Sequence, residues 1–382
     1  MNNKICPVCS STNLEDCFPD YSGTCIASNF KTVENASLKI KICTECGLIF
    51  NSKGIRAEGS NFYLKEKFKP RAALTFFNKS KKVSRTELNF KKLNELVDLN
   101  TKRSLLELGA GKGDFLKYFC SKINDWEINA LEPNMGQRDL LSINEISKVY
   151  QTPYNELDLL PKKFDLIISF SVIEHVNNPL DFLQWQAKHL AEGGTIFIEV
   201  PNFSMIPGDF FCIDHLTKMT KYSLENLAIR AGLTIENIVE DKVPLYAALK
   251  KDPTKKINTN PYAQNLKIIN KNTEICSSFF DSFTDMYLKK NSESKYAIFG
   301  CSTLGRMTPK YCNVPLSDIA CYIDEDSSHQ EKDVFGIPIY NRSAIKKLGI
   351  TDVFIAVSPL YIDAVIAKLS EENVNLHYPK LS

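Results

Sequence analysis

Ser104-Leu105-Leu106-Glu107-Leu108-Gly109-Ala110-Gly111-Lys112-Gly113-Asp114 is the stretch from which the rest of the chain is read. Its apolar run predicts a short buried strand. The three glycines after it let the backbone turn sharply and lie close to a ligand before a helix opens near Lys112. Dinucleotide-binding folds use a similar turn, so the flanking acids must discriminate. Glu107 sits in the strand end, two residues before the first glycine. Glu132 closes the next predicted strand, Trp126 to Leu131, where a carboxylate can accept both hydroxyls of a ribose. Two carboxylates would repel a pyrophosphate. They suit a nucleoside with a cationic group and no phosphate, which is the chemistry of S-adenosylmethionine.

The chain has 382 residues, enough for two or three domains. With 43% hydrophobic and 24% charged residues it has an ordinary globular composition, and a net charge of +2 argues for no particular partner. No apolar run is long enough to cross a bilayer, and no signal-type segment follows Met1, so a cytoplasmic location is expected. In that compartment the twelve cysteines are expected to be reduced thiols or metal ligands.

Cys6-Pro7-Val8-Cys9 and Cys43-Thr44-Glu45-Cys46 each offer two thiolates to one tetrahedral ion, and zinc is the expected occupant. The 33 residues between Cys9 and Cys43 leave room for an insertion, with Cys17 and Cys25 as substitute ligands. Such a closed site folds a domain rather than catalysing. From Lys65 to Lys92 there are ten Lys or Arg against Glu66 and Glu87, interleaved with Phe68, Phe76 and Phe77 and preceded by Phe62 and Tyr63. That mixture either holds phosphates and stacks a base, or forms solvated helices with aromatics packed inward.

After the glycine loop, strand and helix patterns alternate. Phe164-Asp165-Leu166-Ile167-Ile168-Ser169 is apolar enough to be buried on both faces, Leu180, Leu183, Ala187 and Leu190 follow at helical spacing, and Glu192-Gly193-Gly194 turns the chain into Thr195 to Val200. The α/β reading is a doubly wound sheet with its ligands beyond the carboxyl ends of the strands. The segments there hold Glu174-His175 and Asp214-His215.

Glu107-Leu-Gly-Ala-Gly-Lys-Gly113, Leu131-Glu132-Pro133, Phe164-Asp165-Leu166-Ile167, Glu174-His175 and Gly193-Gly194 together resemble class I S-adenosylmethionine-dependent methyltransferases. The resemblance implies that Gly109, Ala110, Gly111 and Gly113 wrap the methionine part, that Glu132 holds the ribose and that Phe170 lies near the cofactor. The residue beside adenine would fall among Asn155, Glu156 and Leu157.

Toward the carboxy terminus, Asp252 to Thr273 reads as a polar linker. Ile275, Phe279, Phe280, Phe283, Met286 and Tyr287 recur at helical spacing. Tyr296 to Phe299 and Gly300-Cys301-Ser302-Thr303-Leu304-Gly305 then open a second, smaller Rossmann-like unit, in which Ser302 stands where a dinucleotide fingerprint has its middle glycine. The expected organisation is a zinc-binding domain over 1–60, a helical connector over 61–95, a methyltransferase core over 96–251, a linker and helix over 252–290 and a Rossmann-like domain over 291–382.

That order looks like the nucleotide-sugar C-methyltransferases of deoxysugar pathways. The resemblance implies a nucleotide-linked keto sugar that loses a proton beside its carbonyl, and an enolate that takes the methyl group. It implies His215 as base with Asp214 orienting it, and His175 as a donor or second base. The family usually has Glu-His at this place with a Tyr-Phe pair after it, where this chain has Asp214-His215 and Leu216-Thr217-Lys218-Met219. O-methylation of a sugar or other small metabolite is the alternative, and an RNA methyltransferase a third reading, disfavoured because no further basic patch is present. A monomer or homodimer is expected.

Overall fold

The structure, a computed structural model, describes residues 5–55, 75–78, 81–101, 103–134, 138–157, 160–326 and 333–379. Residues 65–74, 79 and 80 of the basic stretch, with Phe68 among them, lie outside the described residues, as do Phe62 and Tyr63. The chain forms two compact units: Met1–Pro19, Lys39–Met205 and Asp214–Lys267 make the first, and Asp20–Leu38, Ile206–Ile213 and Ile268–Ser382 the second.

The first unit opens with β1 (Leu14–Asp16). A hairpin of β2 (Tyr21–Ile26) and β3 (Thr32–Leu38) then departs to the second unit, and the chain returns as β4 (Ile40–Cys43) and β5 (Ile49–Asn51). Strands β1, β4 and β5 form an antiparallel sheet. Its cysteine pairs lie before β1 and at the turn from β4 to β5. Next come a short ribbon of β6 (Thr75–Asn78) and β7 (Lys81–Ser84), then α1 (Arg85–Leu96). The Ser84 side chain caps α1 by accepting from the Glu87 N–H at 3.1 Å.

The core sheet follows as β8 (Ser104–Leu108), α2 (Asp114–Cys120), β9 (Glu127–Leu131), α3 (Arg138–Leu141), β10 (Ile146–Tyr150), β11 (Phe164–Phe170), α4 (Pro179–His189), β12 (Leu190–Val200), α5 (Lys221–Arg230), β13 (Leu233–Val239) and β14 (Leu245–Lys251). Its order is β10-β9-β8-β11-β12-β14-β13. The first five strands are parallel in a 3-2-1-4-5 arrangement, so the winding reverses between β8 and β11 and opens a crevice there. Strand β14 runs antiparallel between β12 and β13, where a dinucleotide-binding sheet continues parallel.

Phe164, Leu166, Ile167 and Ile168 of β11 are fully buried, as a central strand covered on both faces requires. Asn178 caps α4 through the N–H groups of Leu180 and Asp181, with Pro179 in the first turn. The helix turns Phe182 and Leu183 into the core.

Helix α6 (Tyr262–Leu288) begins within the segment expected to be a linker. Asn265, Ile269, Asn272 and Cys276 make its buried stripe, and two of these four are asparagines, which hides the helical period from a hydrophobicity reading. Asn265 donates to the Gly47 carbonyl at 2.8 Å and to Ser223 Oγ at 3.0 Å, and accepts from Thr220 Oγ1 at 2.7 Å. One side chain thus joins the second cysteine turn to the start of α5.

In the second unit β15 (Tyr296–Phe299), α7 (Thr303–Tyr311), β16 (Ile319–Ile323), β17 (Asp333–Val334), β18 (Ile337–Tyr340), α8 (Ala344–Leu348), β19 (Asp352–Ile355), α9 (Ile362–Leu369) and β20 (Asn375–His377) build a sheet of order β17-β18-β16-β15-β19-β20. Phe283 of α6 packs edge-on against Phe354, and Phe280 stacks on Tyr311. The β2–β3 hairpin lies here and not with the cysteine sheet expected over 1–60. Tyr21 stacks on Tyr311 and the Ile26 carbonyl accepts from the Ile213 N–H at 3.0 Å. The hairpin's buried Cys25, Ile26 and Ala27 account for the difference, because the three short strands of the cysteine sheet offer little surface to cover them.

Replacing Asn265 by Ala removes three buried hydrogen bonds and leaves the Gly47 carbonyl without its partner, while Thr220 Oγ1 and Ser223 Oγ keep each other at 3.2 Å. It should lower the unfolding free energy by about 2 kcal/mol, since a buried group left unpaired costs on the order of 1–3 kcal/mol. Urea denaturation of the two proteins measures the difference, and a change below about 0.5 kcal/mol would show that the network carries no stability.

Candidate active site

Gly109, Gly111 and Gly113 all adopt positive φ, at 72°, 55° and 79°. Their surroundings differ. A Cβ on Gly109 would meet Val172 Cγ2 at 2.7 Å and one on Gly113 would strike Ile143 and Leu140, so those two positions are closed by packing. A Cβ on Gly111 would meet nothing within 4 Å, so the loop is open there. The loop is held from beneath: the Gly109 N–H donates to the Leu131 carbonyl at 2.8 Å and the Gly111 N–H to Glu132 Oε2 at 2.7 Å. The other oxygen, Oε1, accepts from the Asn134 N–H at 2.8 Å.

Both acids of this bed are buried. Burial raises the Glu132 carboxyl above its ordinary value, opposed by the hydrogen bonds from Asn134 and Gly111. Glu107 is pushed well above the carboxylate range, by burial first and then by Glu132 and Asp114. Its Oε2 is buried with no hydrogen-bond partner. An orphaned acidic oxygen beside an open glycine loop fits a ligand that brings a donor or a positive charge. Phe170, at the end of β11, packs 4.5 Å from Phe115 between ring centroids, and Ala110 is buried in the loop. Glu156 accepts from Thr152 Oγ1 and the Leu157 carbonyl from Trp185 Nε1.

A second group lies beyond the carboxyl ends of β11 and β12. Glu174, His175 and His215 each offer one ligand-type atom within 4.8 Å of the others, a spacing that would also suit a cation. The His175 and His215 rings meet edge to face at 4.8 Å. His175 Nδ1 lies 2.8 Å from the Asp214 carbonyl, which can only accept, so Nδ1 carries the hydrogen. That leaves Nε2 to bind a proton, 3.8 Å from Glu174 Oε1. The Asp214 carboxylate is 3.8 Å from His175 Nδ1, so the acid expected to orient His215 lies against His175.

Glu174 is only 1% exposed, and burial pushes its carboxyl up to about 8 against the opposing pull of His215. It keeps its proton at neutral pH until a neighbouring histidine becomes cationic. Glu174 was legible as half of the Glu174-His175 pair, but nothing in the sequence marked it as the carboxyl whose charge is tied to His215.

Two further residues escaped the sequence reading. Arg85 Nη2 lies 2.5 Å from both Glu199 Oε2 and Ser171 Oγ, closing the ends of β11 and β12. The signal was Glu199, an acid inside the apolar run from Thr195 to Val200. Within the basic stretch, Arg85, Lys91 and Lys92 are committed to ion pairs with Glu199 or Glu95.

In the amino-terminal sheet, Cys6 Sγ lies 3.6 Å from Cys46 Sγ and Cys9 Sγ 3.5 Å from Cys43 Sγ. All four sulfurs fall within 4.8 Å of one another. Cys17 and Cys25 stand outside this group. A tetrahedral zinc with Zn–S near 2.3 Å sets sulfurs about 3.8 Å apart, so the residues present fit that ion. The same sheet reaches the histidines. The Asn51 N–H donates to the Leu216 carbonyl at 2.8 Å and the Lys218 N–H to the Ile49 carbonyl at 3.0 Å, pinning the chain just after His215 to β5.

Residues 82–238 match the family model of a methyltransferase domain. The glycine bed and its two acids lie within the matched residues. No curated protein matches the chain. Among solved structures it is similar to the mitomycin 7-O-methyltransferase, with TM-score 0.38, 12% identity and 43% of this chain aligned to 53% of that one. It is also similar to the plantazolicin methyltransferase in complex with SAH, with TM-score 0.37, 16% identity and coverage of 43% and 81%. A third is an O-methyltransferase from neocarzinostatin biosynthesis, with TM-score 0.38, 15% identity and coverage of 43% and 54%. The chain spans about half the length of the first of these. No described helix is long and apolar enough to cross a membrane.

The Glu174 carboxyl sets a pH dependence. The unfolded chain releases this proton near the ordinary glutamate value of about 4.3. The folded chain holds it to about 8. Folding therefore takes up a proton between those limits, and stability present at pH 4 to 5 is lost as pH rises toward 8. Unfolding free energies at pH 5, 6.5 and 8 should fall in that order, and Glu174→Gln should make the slope shallower. An unchanged slope would return Glu174 to ordinary titration.

Proposed function

We propose that the protein is an S-adenosylmethionine-dependent methyltransferase acting on a nucleotide-linked sugar, placing the methyl group on the carbon beside a keto group through an enolate. The reaction type rests on the buried group of Glu174, His175, Asp214 and His215 beyond β11 and β12.

The cofactor assignment draws on the bed. An ionised carboxylate has about four acceptor positions, and Glu132 spends two on Gly111 and Asn134. Two remain for the ribose hydroxyls. The orphaned oxygen of Glu107 suits the ammonium of the methionine part, with Gly109, Ala110, Gly111 and Gly113 around it and Phe170 near it. S-adenosylmethionine supplies a methyl group on a sulfonium that departs as a neutral thioether.

His215 takes the proton from the carbon beside the carbonyl, and the electron pair of that C–H bond passes into the enolate. The same carbon then forms the new bond to the methyl group as the methyl–sulfur bond breaks. His175 serves as donor to the enolate oxygen or as second base, oriented by Asp214. As His215 becomes cationic, the Glu174 proton passes to His175 Nε2, 3.8 Å away, which leaves Glu174 with the opposite charge and gives His175 the hydrogen it donates. Positioning accounts for much of the remaining acceleration.

O-methylation of a sugar or other small metabolite is the second reading, since the same histidine would deprotonate a hydroxyl with less help. The three cations committed to ion pairs count against RNA as substrate. The four cysteines are assigned a structural zinc that fixes β5, and through it the chain after His215. A cytoplasmic monomer or homodimer completes the proposal.

His215→Asn should lower kcat by on the order of 10²–10⁴ while leaving cofactor affinity within a few-fold, whereas Gly111→Arg should abolish cofactor binding. Near-normal turnover in the first or unaltered titration in the second would remove that residue from the proposal. Mass spectrometry of products from keto and hydroxy nucleotide sugars, deuterated beside the carbonyl, separates the readings: loss of deuterium accompanies carbon methylation and its retention accompanies O-methylation. Metal analysis of the folded protein should give one zinc per chain, and a folded zinc-free sample would dismiss the structural ion.

A further inference from the structure

Parallel strands are usually joined by a crossover helix, and the connection from β10 to β11 is made without one. Residues 151–163 run from the carboxyl end of β10 to the amino end of β11. Among the described residues of that stretch the one regular element is a 3₁₀ turn, Tyr154–Glu156. The stretch leaves the sheet beside the cofactor bed. Tyr150, which ends β10, accepts from the Glu132 N–H at 3.0 Å, and β10 pairs with the strand that Glu132 follows. The residues expected beside adenine, Asn155, Glu156 and Leu157, lie within it.

Buried backbone with no helix of its own must find partners elsewhere. Helix α4 supplies two of them from positions four residues apart, on one face. Trp185 Nε1 donates to the Leu157 carbonyl at 2.7 Å, and His189 Nε2 accepts from the Leu160 N–H at 3.1 Å. Tyr154 and Leu160 are buried, and the Tyr154 ring meets Phe182 and Trp185 edge-on at 5.1 and 6.1 Å. The two α4 side chains also hold each other. Their rings lie 3.9 Å apart between centroids, and His189 Nδ1 is 2.7 Å from the Trp185 carbonyl.

These partners fix the imidazole in one form. The Trp185 carbonyl can only accept, so Nδ1 carries a hydrogen, and the Leu160 N–H can only donate, so Nε2 keeps its lone pair. A second proton would set Nε2–H against the Leu160 N–H, two donors face to face, on a ring that is 1% exposed. Burial chiefly holds His189 below the ordinary histidine value, against the pull of the Trp185 carbonyl. Lys188 on α4 and Lys163 near the end of the crossover act in the same direction as burial. From β14, Lys251 donates at 2.7 Å to the carbonyl of Leu190, the next residue in the chain, and is itself acted on by Lys163 and Glu192.

We propose that Trp185 and His189 are positioning residues, which clasp the 151–163 crossover in the shape that receives the adenosine end of the cofactor, and that protonation of His189 opens the clasp. This rests on the reading of the loop after Tyr150 as the adenine side of the bed, and it adds a pH-controlled step to cofactor binding. The sign follows from the two states. Opened, His189 takes its proton near the ordinary value of about 6.5, and clasped only at lower pH. The clasp is therefore at full strength above that pH and weakens as pH falls below it.

The test is amide hydrogen exchange of the full-length protein at pH 7.5 and pH 5, corrected for the intrinsic rate at each pH, with and without saturating S-adenosylmethionine. Peptides covering 151–163 should exchange at least about fivefold faster at pH 5, while those of β8 stay within about twofold. The ligand should slow the 151–163 peptides at least about fivefold, since a ligand that prefers the clasped form must in turn stabilise it. His189→Gln offers a donor and an acceptor but takes no proton, so it should abolish the pH step. Trp185→Phe keeps the ring packing and loses the bond to Leu157, so it should speed exchange of the same peptides at both pH values. It and the wild-type pH step judge the clasp if His189→Gln does not fold. The proposal is overturned by a wild type without the step, by a step shared equally by β8, or by an equal step in His189→Gln. Unaltered exchange in Trp185→Phe, or a bound ligand that leaves these peptides unslowed, would also overturn it. If titration shows no S-adenosylmethionine binding at pH 7.5, the cofactor reading fails on its own, while the pH step still judges the clasp.

Discussion

Burying a carboxylate is costly unless it is hydrogen-bonded, and the core sheet is built around one that is. Glu132 satisfies its two oxygens with the N–H groups of Gly111 and Asn134, which forces the chain after β8 to present an amide where a side chain would otherwise stand. That amide comes from a residue with φ of 55°, a conformation that suits glycine. The strand order puts the loop at the point where the sheet reverses its winding and opens a crevice. Glu107, one strand over and short of a partner, then gives the bed a preference for a positive or donating group.

The second requirement is to hold two histidines near a carboxyl that keeps its proton. Loops after β11 and β12 bring them together, and loops alone would hold them loosely. Two devices stiffen this end of the sheet. The Arg85, Ser171 and Glu199 triad ties the ends of the two strands, and backbone pairing between β5 and the segment after His215 extends the cysteine sheet to the histidines. Asn265 braces the same cysteine turn from the other side. A small amino-terminal sheet is thereby paired to the chain beside His215, which gives four cysteines far from the histidines in sequence a bearing on their geometry.

How much of this was legible depended on whether a residue's partner was close in sequence or its pattern strongly periodic. The glycine loop, the β11 run and the cysteine spacings are local signals, and they are found as a loop, a buried strand and a cluster of four sulfurs. The hairpin was misplaced because its covering surface, around Tyr311, lies nearly 300 residues away. The start of α6 was read as linker because its buried stripe uses asparagines. Asp214, expected to orient the adjacent His215, has its carboxylate 3.8 Å from His175 Nδ1, an approach set by loop geometry.

Sequence alone therefore determined the doubly wound class, the strand and loop that carry the glycine bed, the two acids beside it and the four clustered cysteines, since each follows from residue type at short spacing. Only the tertiary structure decided that the Asp214 carboxylate comes within 3.8 Å of His175 and that Arg85 closes on Glu199. Those relations depend on where distant loops come to rest once their strands are packed, and burial then sets the charge each carboxyl can carry.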